Sequence, residues 1–409
     1  MTAENVVPEG FDFTDPDVNH AAVPHDEFLA LRKKAPVFWV EQEEPARSGM
    51  LGTGYWAVSR HEDVAAVSKN SKDFSTAENG AIIRFQEGME REMVEFQRVM
   101  LINQDAPIHT KTRQIISRGF TPRSISALDE IMEQRANSIV KEAVAKGSGN
   151  FVEDVSSELP LQAIADLLGV PQEDRRKLFD WSNSMLGYDD PDMLEDPDVA
   201  AAEILTYSMG LAAERKANPR DDIVTKLVQA NKDGALTDDE FGYFVIILTV
   251  AGNETTRNAI THGMNAFLNH PEQWELWKRE RPDTMVDEVI RWATPVTSFQ
   301  RTALNDVMVG DQLVKKGERV GLFYASANFD DEVFDDPFTF DITRNPNPHL
   351  AFGGHGAHYC IGANLARQEV RLMFDALADH APDISKLAEP VRLRSAWING
   401  IKDLQVQYA

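Results

Sequence analysis

Cys360 is the single cysteine of this 409-residue chain, and it lies in the run Phe352-Gly-Gly-His-Gly-Ala-His-Tyr-Cys-Ile-Gly362. One thiol can form neither an internal disulfide nor a multi-cysteine metal site, but it can be the sole protein ligand of a metal centre. Gly353, Gly354, Gly356 and Gly362 mark a specialised loop, where bare backbone lets a flat cofactor come close. Behind it Ile361, Leu365, Ala366, Val370 and Leu372 recur at helical spacing, so Cys360 is expected at a helix N-terminus. Backbone N–H groups and the positive end of the helix dipole favour a thiolate there. Such donors also tune a metal bonded to the sulfur.

A loop of this kind needs a rigid element opposite it. Thr237-Asp-Asp-Glu240 has the form of a capping box, and no proline follows before Pro271. The helix between them, roughly 30 residues and about 45 Å long, is apolar on nearly all sides from Phe241 to Ala251. It therefore runs through the interior, and its apolar run is too short to span a bilayer. Gly252, Glu254 and Thr255 interrupt that surface. Buried polar groups need partners or a purpose, the alternative being a threonine hydroxyl that bonds back to its own helix. Glu288 and Arg291 stand one helical turn apart, a spacing that by itself is most often a solvated ion pair.

Gly-x-His-x-Cys-x-Gly, here Gly356 to Gly362, resembles the haem-binding loop of the cytochromes P-450, the haem-thiolate monooxygenases. Phe352 stands one place before the family's phenylalanine, where this chain has Gly353, so the loop reads as one residue longer. The other family segments occur in order. Val250-Ala-Gly-Asn-Glu-Thr-Thr256 is similar to the acid–alcohol segment, Glu288-Val-Ile-Arg291 to the Glu-x-x-Arg pair, and Pro337-Phe-Thr-Phe340 with Arg344 to the arginine segment that completes a buried network.

The resemblance implies a mainly α fold with small β-sheets. Haem b (iron protoporphyrin IX) would lie between the long helix and the cysteine-loop helix, its iron held by Cys360. Glu254 and Thr255 would deliver protons to dioxygen, and Gly252 would leave room for it. Glu288, Arg291 and Arg344 would hold the cysteine loop. His109 and Arg113, Arg301, and His358 match the family's propionate ligands, with Phe352, Gly356 and Gly362 as further cofactor contacts.

Composition agrees. There are 41 Lys and Arg against 66 Asp and Glu, a net charge of −25, which disfavours nucleic acid and anionic membranes as partners. Neither a membrane span nor a basic-then-apolar signal is legible, so a cytoplasmic monomer is expected. The absence of linkers and repeats suggests one domain over residues 1–409, with 1–17 as an acidic leader. Helical patterns dominate between Pro122 and His270. Strands are expected at Val37–Val40, at Tyr55–Ser59, and in a hairpin over Val307–Val314 that turns at Gly310-Asp311.

Within the family the chain is similar over most of its length to one bacterial branch, the steroid side-chain hydroxylases of cholesterol-degrading actinobacteria. Gly10–Pro16, Asn103–His109 through Ser117–Arg123, Ser326–Asp330, Pro346–His349 and Trp397–Lys402 carry that likeness, and the longer loop at Phe352 shares it. It implies hydroxylation of a terminal methyl on the side chain of cholesterol or cholest-4-en-3-one, and oxidation on to the acid. Ile82, Ile83, Phe85, Met100 and Leu101 would line an apolar channel, with Val250, Ala251, Val296 and Trp397 nearer the haem. Electrons would come from NAD(P)H through a reductase and a ferredoxin docked on a basic face of Lys111, Arg113, Arg118, Arg123, Arg367 and Arg371. Branched or linear fatty acids are the competing substrates. A peroxygenase would lack the acid–alcohol pair, and a non-catalytic haem-thiolate sensor or carrier would need neither that pair nor a docking face.

Overall fold

The computed structural model describes residues 6–117, 120, 121, 125, 126, 128–193, 196–220, 222–232 and 237–408. β-Branched and aromatic residues form β1 (Val37–Glu41), β2 (Gly54–Val58), β3 (Phe74–Ser75) and β4 (Ser298–Ala303). A hairpin of β5 (Val307–Val309) and β6 (Gln312–Val314) precedes β7 (Arg319–Phe323). The main sheet has the order β1-β2-β7-β4-β3, with β2 and β7 parallel and the other pairs antiparallel. Both expected single strands and the hairpin are present. Gly310 takes a positive φ of 53° in the hairpin turn, a conformation glycine adopts at little cost.

Two smaller sheets lie elsewhere in the chain, and the helices that position the site are α1 (Ile108–Ser117), α2 (Asp129–Lys146), α3 (Glu158–Leu168), α4 (Arg175–Leu186), α5 (Asp238–Asn269), α6 (Met285–Ala293) and α7 (Ala363–His380). The capping box starts α5 as its sequence predicts. Thr237 Oγ1 accepts from the Glu240 N–H at 3.1 Å, and Glu240 Oε2 accepts from the Thr237 N–H at 2.7 Å. With 32 residues, α5 is about 48 Å long. It buries Phe241, Phe244, Val245, Ile260, Met264 and Phe267, and α3, α4, α6 and α7 all pack on it. A Cβ on Gly252 would lie 2.3 Å from Ile164 Cδ1. The glycine therefore permits the close approach of α3 to α5 at that point.

The expected leader is partly built into the core. Phe13 is buried and stacks on Phe28 at 4.7 Å. Asp12 accepts from the Tyr55 hydroxyl at 2.8 Å and from Gln42 Nε2 at 3.0 Å. Residues 1–5 lie outside the described residues.

The Glu288 network is buried rather than solvated. Arg291 Nε and Nη2 each donate to the carboxylate at 2.8 Å, and Arg344 Nε donates at 3.1 Å. Arg291 Nη1 reaches the Asn328 carbonyl at 2.8 Å, and Asn328 Oδ1 accepts from the Leu350 N–H at 2.6 Å. A fork of charge-assisted bonds thus runs from α6 to the start of the cysteine loop.

Candidate active site

The cysteine loop folds back on itself before α7. The Cys360 N–H donates to the Phe352 carbonyl at 2.9 Å, and the Tyr359 N–H to the Gly356 carbonyl at 3.0 Å. Gly353 sits at a φ of 88°. A Cβ on Gly356 would fall 1.7 Å from the Ser68 carbonyl oxygen, so this glycine lets the loop seat on its neighbouring helix. At Gly362 a Cβ would meet only the Cys360 sulfur, at 3.9 Å. The exposed surface of Cys360 faces a cavity within the protein, bounded by α5 on the opposite side, rather than bulk water. Burial pushes the thiol up from its ordinary value, while the N–H groups of Gly362 and Ala363 and the nearby Arg113 and Arg367 pull it down. Phe352 lines the same cavity, with the Arg367 guanidinium 4.6 Å from its ring centre.

One flank of this cavity carries nitrogen donors that have no anionic partner among the described residues. His109 and His358 face each other with ring centres 4.2 Å apart. His109 Nε2 is buried without a hydrogen-bond partner. Thr76 Oγ1 lies 3.3 Å from His358 Nε2. Arg301 is buried and, among the described residues, donates to the Gln300 carbonyl alone, at 2.7 Å. Among the described residues no carboxylate reaches ion-pair distance of it. Burial, then Arg301, His109 and Arg113, hold His358 down at about 2. Arg113 bonds to the Tyr359 carbonyl, which turns it towards Cys360 rather than to solvent. A bound group with carboxylates would satisfy these donors. Among the described residues no cluster of three or more His, Cys, Asp or Glu could hold a metal ion, so a metal at Cys360 must arrive with its own ligands. Both requirements fit haem.

The two polar residues of α5 part company. Thr255 lines the cavity, its hydroxyl donating to the Ala251 carbonyl at 2.8 Å. Donation leaves the oxygen lone pairs able to accept from the cavity side. Glu254 does not line the cavity. Its Oε1 accepts from Arg257 and, at 2.9 Å, from Asn258 Nδ2, while Oε2 is buried without a partner.

Of the residues expected to touch substrate, Ala251 and Val296 are on the cavity wall. Ile83 is instead in the N-terminal core with Phe13, Tyr55 and Phe323. Val250 and Trp397 belong to a small cluster with Leu186, Ile204 and Ile246. Leu101 packs against the main helical core, Phe85 is buried, and Ile82 and Met100 are half-buried. None of these seven is on the wall of this cavity.

Several wall residues escaped the sequence reading. Ile102, Pro295, Phe299 and Tyr324 carry no motif, and Phe120 lies in the Ser117–Arg123 segment without having been singled out. Glu369 carried a signal, an acid inside the apolar face of α7. It is buried at the cavity with Oε1 unpartnered, and burial pushes it up to about 8 against the pull of Thr256.

The described members of the expected basic face differ in their surroundings. Lys111 is exposed. Arg367 pairs with Asp287 at 2.8 Å, and Arg371 with Asp375 at 2.9 Å and Asp283 at 3.0 Å. Arg118 and Arg123 lie outside the described residues.

The cytochrome P-450 family profile matches residues 282–378. A "Steroid C26-monooxygenase" of Rhodococcus jostii (strain RHA1) is 60% identical over 407 residues, covering 99% of this chain and 86% of that protein. A "Methyl-branched lipid omega-hydroxylase" of Mycobacterium tuberculosis is 40% identical over 406 residues, covering 97% of this chain and 92% of its own length. Among solved structures, a Mycobacterium marinum cytochrome P-450 in complex with pseudoionone aligns with a TM-score of 0.87 at 36% identity, covering 94% of each chain.

Proposed function

The chain belongs to the cytochrome P-450 family of monooxygenases, and from that premise we propose that it hydroxylates the terminal methyl of a steroid side chain. Cholesterol or cholest-4-en-3-one is the substrate, and oxidation can continue to the carboxylic acid. The single observation that carries the substrate is the 60% identity, over 99% of this chain, to a steroid C26-monooxygenase. One atom of dioxygen enters the C–H bond and the other leaves as water, at the cost of two electrons and two protons.

Haem b, ligated through its iron by Cys360, supplies dioxygen activation when bound. Its propionates would be held by His109, Arg113, Arg301 and His358, and Phe352, Gly356 and Gly362 shape the loop beneath it. The N–H groups of Gly362 and Ala363 steady the Cys360 thiolate. Thr255 Oγ1 passes protons into the cavity, and Glu254 supplies them from Oε2 after releasing Arg257. Ala251 and Val296, together with Phe299, receive the methyl end. Affinity for so apolar a ligand grows at about 25 cal/mol per Å² buried.

Electrons reach the site from NAD(P)H by way of a reductase and a ferredoxin, with Lys111, Arg118, Arg123, Arg367 and Arg371 as the docking face. Among the described residues no helix is long and apolar enough to cross a membrane. The reading is of a cytoplasmic, single-domain monomer.

Titrating the ferric protein with cholest-4-en-3-one tests the substrate. Expected is a shift from low to high spin at low micromolar ligand, with weaker response to methyl-branched fatty acids. A response to the fatty acid alone would move the assignment to lipid ω-hydroxylation, the activity named for the M. tuberculosis relative.

A further inference from the structure

Tyr188 follows α4 and has none of the roles assigned above. Its hydroxyl accepts from the Trp397 indole N–H at 3.1 Å and donates to the Arg84 carbonyl at 3.2 Å. Three separate stretches of chain therefore meet at one oxygen.

Each stretch has its own anchors near the cavity wall. The Trp397 carbonyl accepts from the Thr297 N–H at 2.8 Å and from its hydroxyl at 3.0 Å. The Trp397 ring lies 5.9 Å from that of Phe299, which lines the cavity. On the other side, Gln300 Nε2 holds the Ile82 carbonyl at 2.7 Å and Arg319 Nη1 holds that of Ile83 at 3.0 Å. The stretch after α4 is laced to the C-terminal region. Asp189 Oδ2 accepts from the Ala396 N–H at 3.0 Å, Asp190 Oδ2 from the Arg394 N–H at 2.9 Å, and Lys402 Nζ pairs with Asp190 at 2.9 Å. The Tyr188 hydroxyl joins residues 82–84 to that laced unit.

We infer that Tyr188 is a specificity-determining residue, whose hydroxyl ties the Trp397 stretch behind Phe299 to residues 82–84 behind Gln300 and so holds the cavity wall at Val296 and Phe299 in place. A rigid fused-ring ligand gains affinity from walls already held at its width, because no ordering remains to be done on binding. A flexible acyl chain fits walls at several spacings and gains little. The inference rests on the steroid reading for its choice of ligand.

Tyr188→Phe keeps the ring and removes the hydroxyl. In the free protein, amide exchange within 82–84 and 188–192 should rise about tenfold, as for the loss of one or two neutral hydrogen bonds. The Kd for cholest-4-en-3-one should rise by about tenfold, while that for a methyl-branched fatty acid changes by less than about twofold. Trp397→Phe removes the indole donor and should reproduce the exchange change, and the double variant should add little to either single one. Unchanged exchange in both stretches would overturn the inference. So would an equal loss of affinity for both ligands, which marks a merely structural role. Failure of the unsubstituted protein to bind the sterol would count against the steroid reading instead, and the exchange comparison would still decide what the hydroxyl does.

Discussion

Replacing Glu288 by alanine is expected to leave almost no folded, haem-loaded protein. The side chain is fully buried. Its carboxylate accepts from Arg291 twice at 2.8 Å and, at 3.1 Å each, from Arg344, Asn347 and the Asp341 N–H. Removing it strands the equally buried Arg291 guanidinium, and breaking such a pair costs about 3–5 kcal/mol. That is a large part of the roughly 5–15 kcal/mol by which a protein of this kind is stable. The damage also has an address. Arg291 holds the Asn328 carbonyl, and Asn328 holds Leu350 at the start of the cysteine loop. Haem retention should fail along with the melting temperature. Glu288→Gln preserves the shape and at most three of the five acceptor contacts, and it should fall between. Thermal unfolding and the haem-to-protein absorbance ratio check this; an alanine variant that melts within a few degrees of the parent would contradict it.

Cys360→Ser should do the opposite, abolishing turnover while sparing the fold. The loop is shaped by the backbone bond from Cys360 to Phe352 and by the Gly356 approach to Ser68, none of which uses the sulfur. A substitution facing a cavity and leaving such bonds in place costs within about 0.5 kcal/mol. Electron donation by the thiolate is lost altogether. The expected outcome is an unchanged melting temperature for the haem-free protein, no thiolate-type absorption, and product at background. Retained monooxygenase activity would remove Cys360 from the centre of the chemistry.

Much of the site was legible because its chemistry demands particular residues at particular spacings. A lone thiol among glycines before a helix, a capping box with a proline-free stretch behind it, and Glu288 one turn from Arg291 each have few physical uses together. Burial could not be read from Glu288 and Arg291 themselves, since the same spacing serves a solvated surface pair. Arg344 and the carbonyls of Asn328 and Pro337 make the difference.

The channel was the least legible part. Ile83 and Val250 look no different in sequence from Ile102 and Phe299, yet only the latter two face the cavity. Which way an apolar side chain in an irregular segment points is decided by tertiary packing, not by local pattern. Glu254 shows the same limit in polar form. Its neighbour on the sequence, Thr255, reaches the cavity, while one step around the helix turns Glu254 to Arg257 and Asn258. Gly252 was read as room for dioxygen, and only the packed structure reveals that it also lets Ile164 of α3 come close to α5.

The most direct measurement is turnover of cholest-4-en-3-one by the purified haem protein with a ferredoxin, its reductase, NAD(P)H and isotopically labelled dioxygen. The expected product carries one labelled oxygen on a terminal methyl of the side chain, and none forms when the ferredoxin is left out. Product formed without the ferredoxin from added peroxide alone, or no oxidation of the side chain under the complete conditions, would contradict assignment as a steroid terminal monooxygenase.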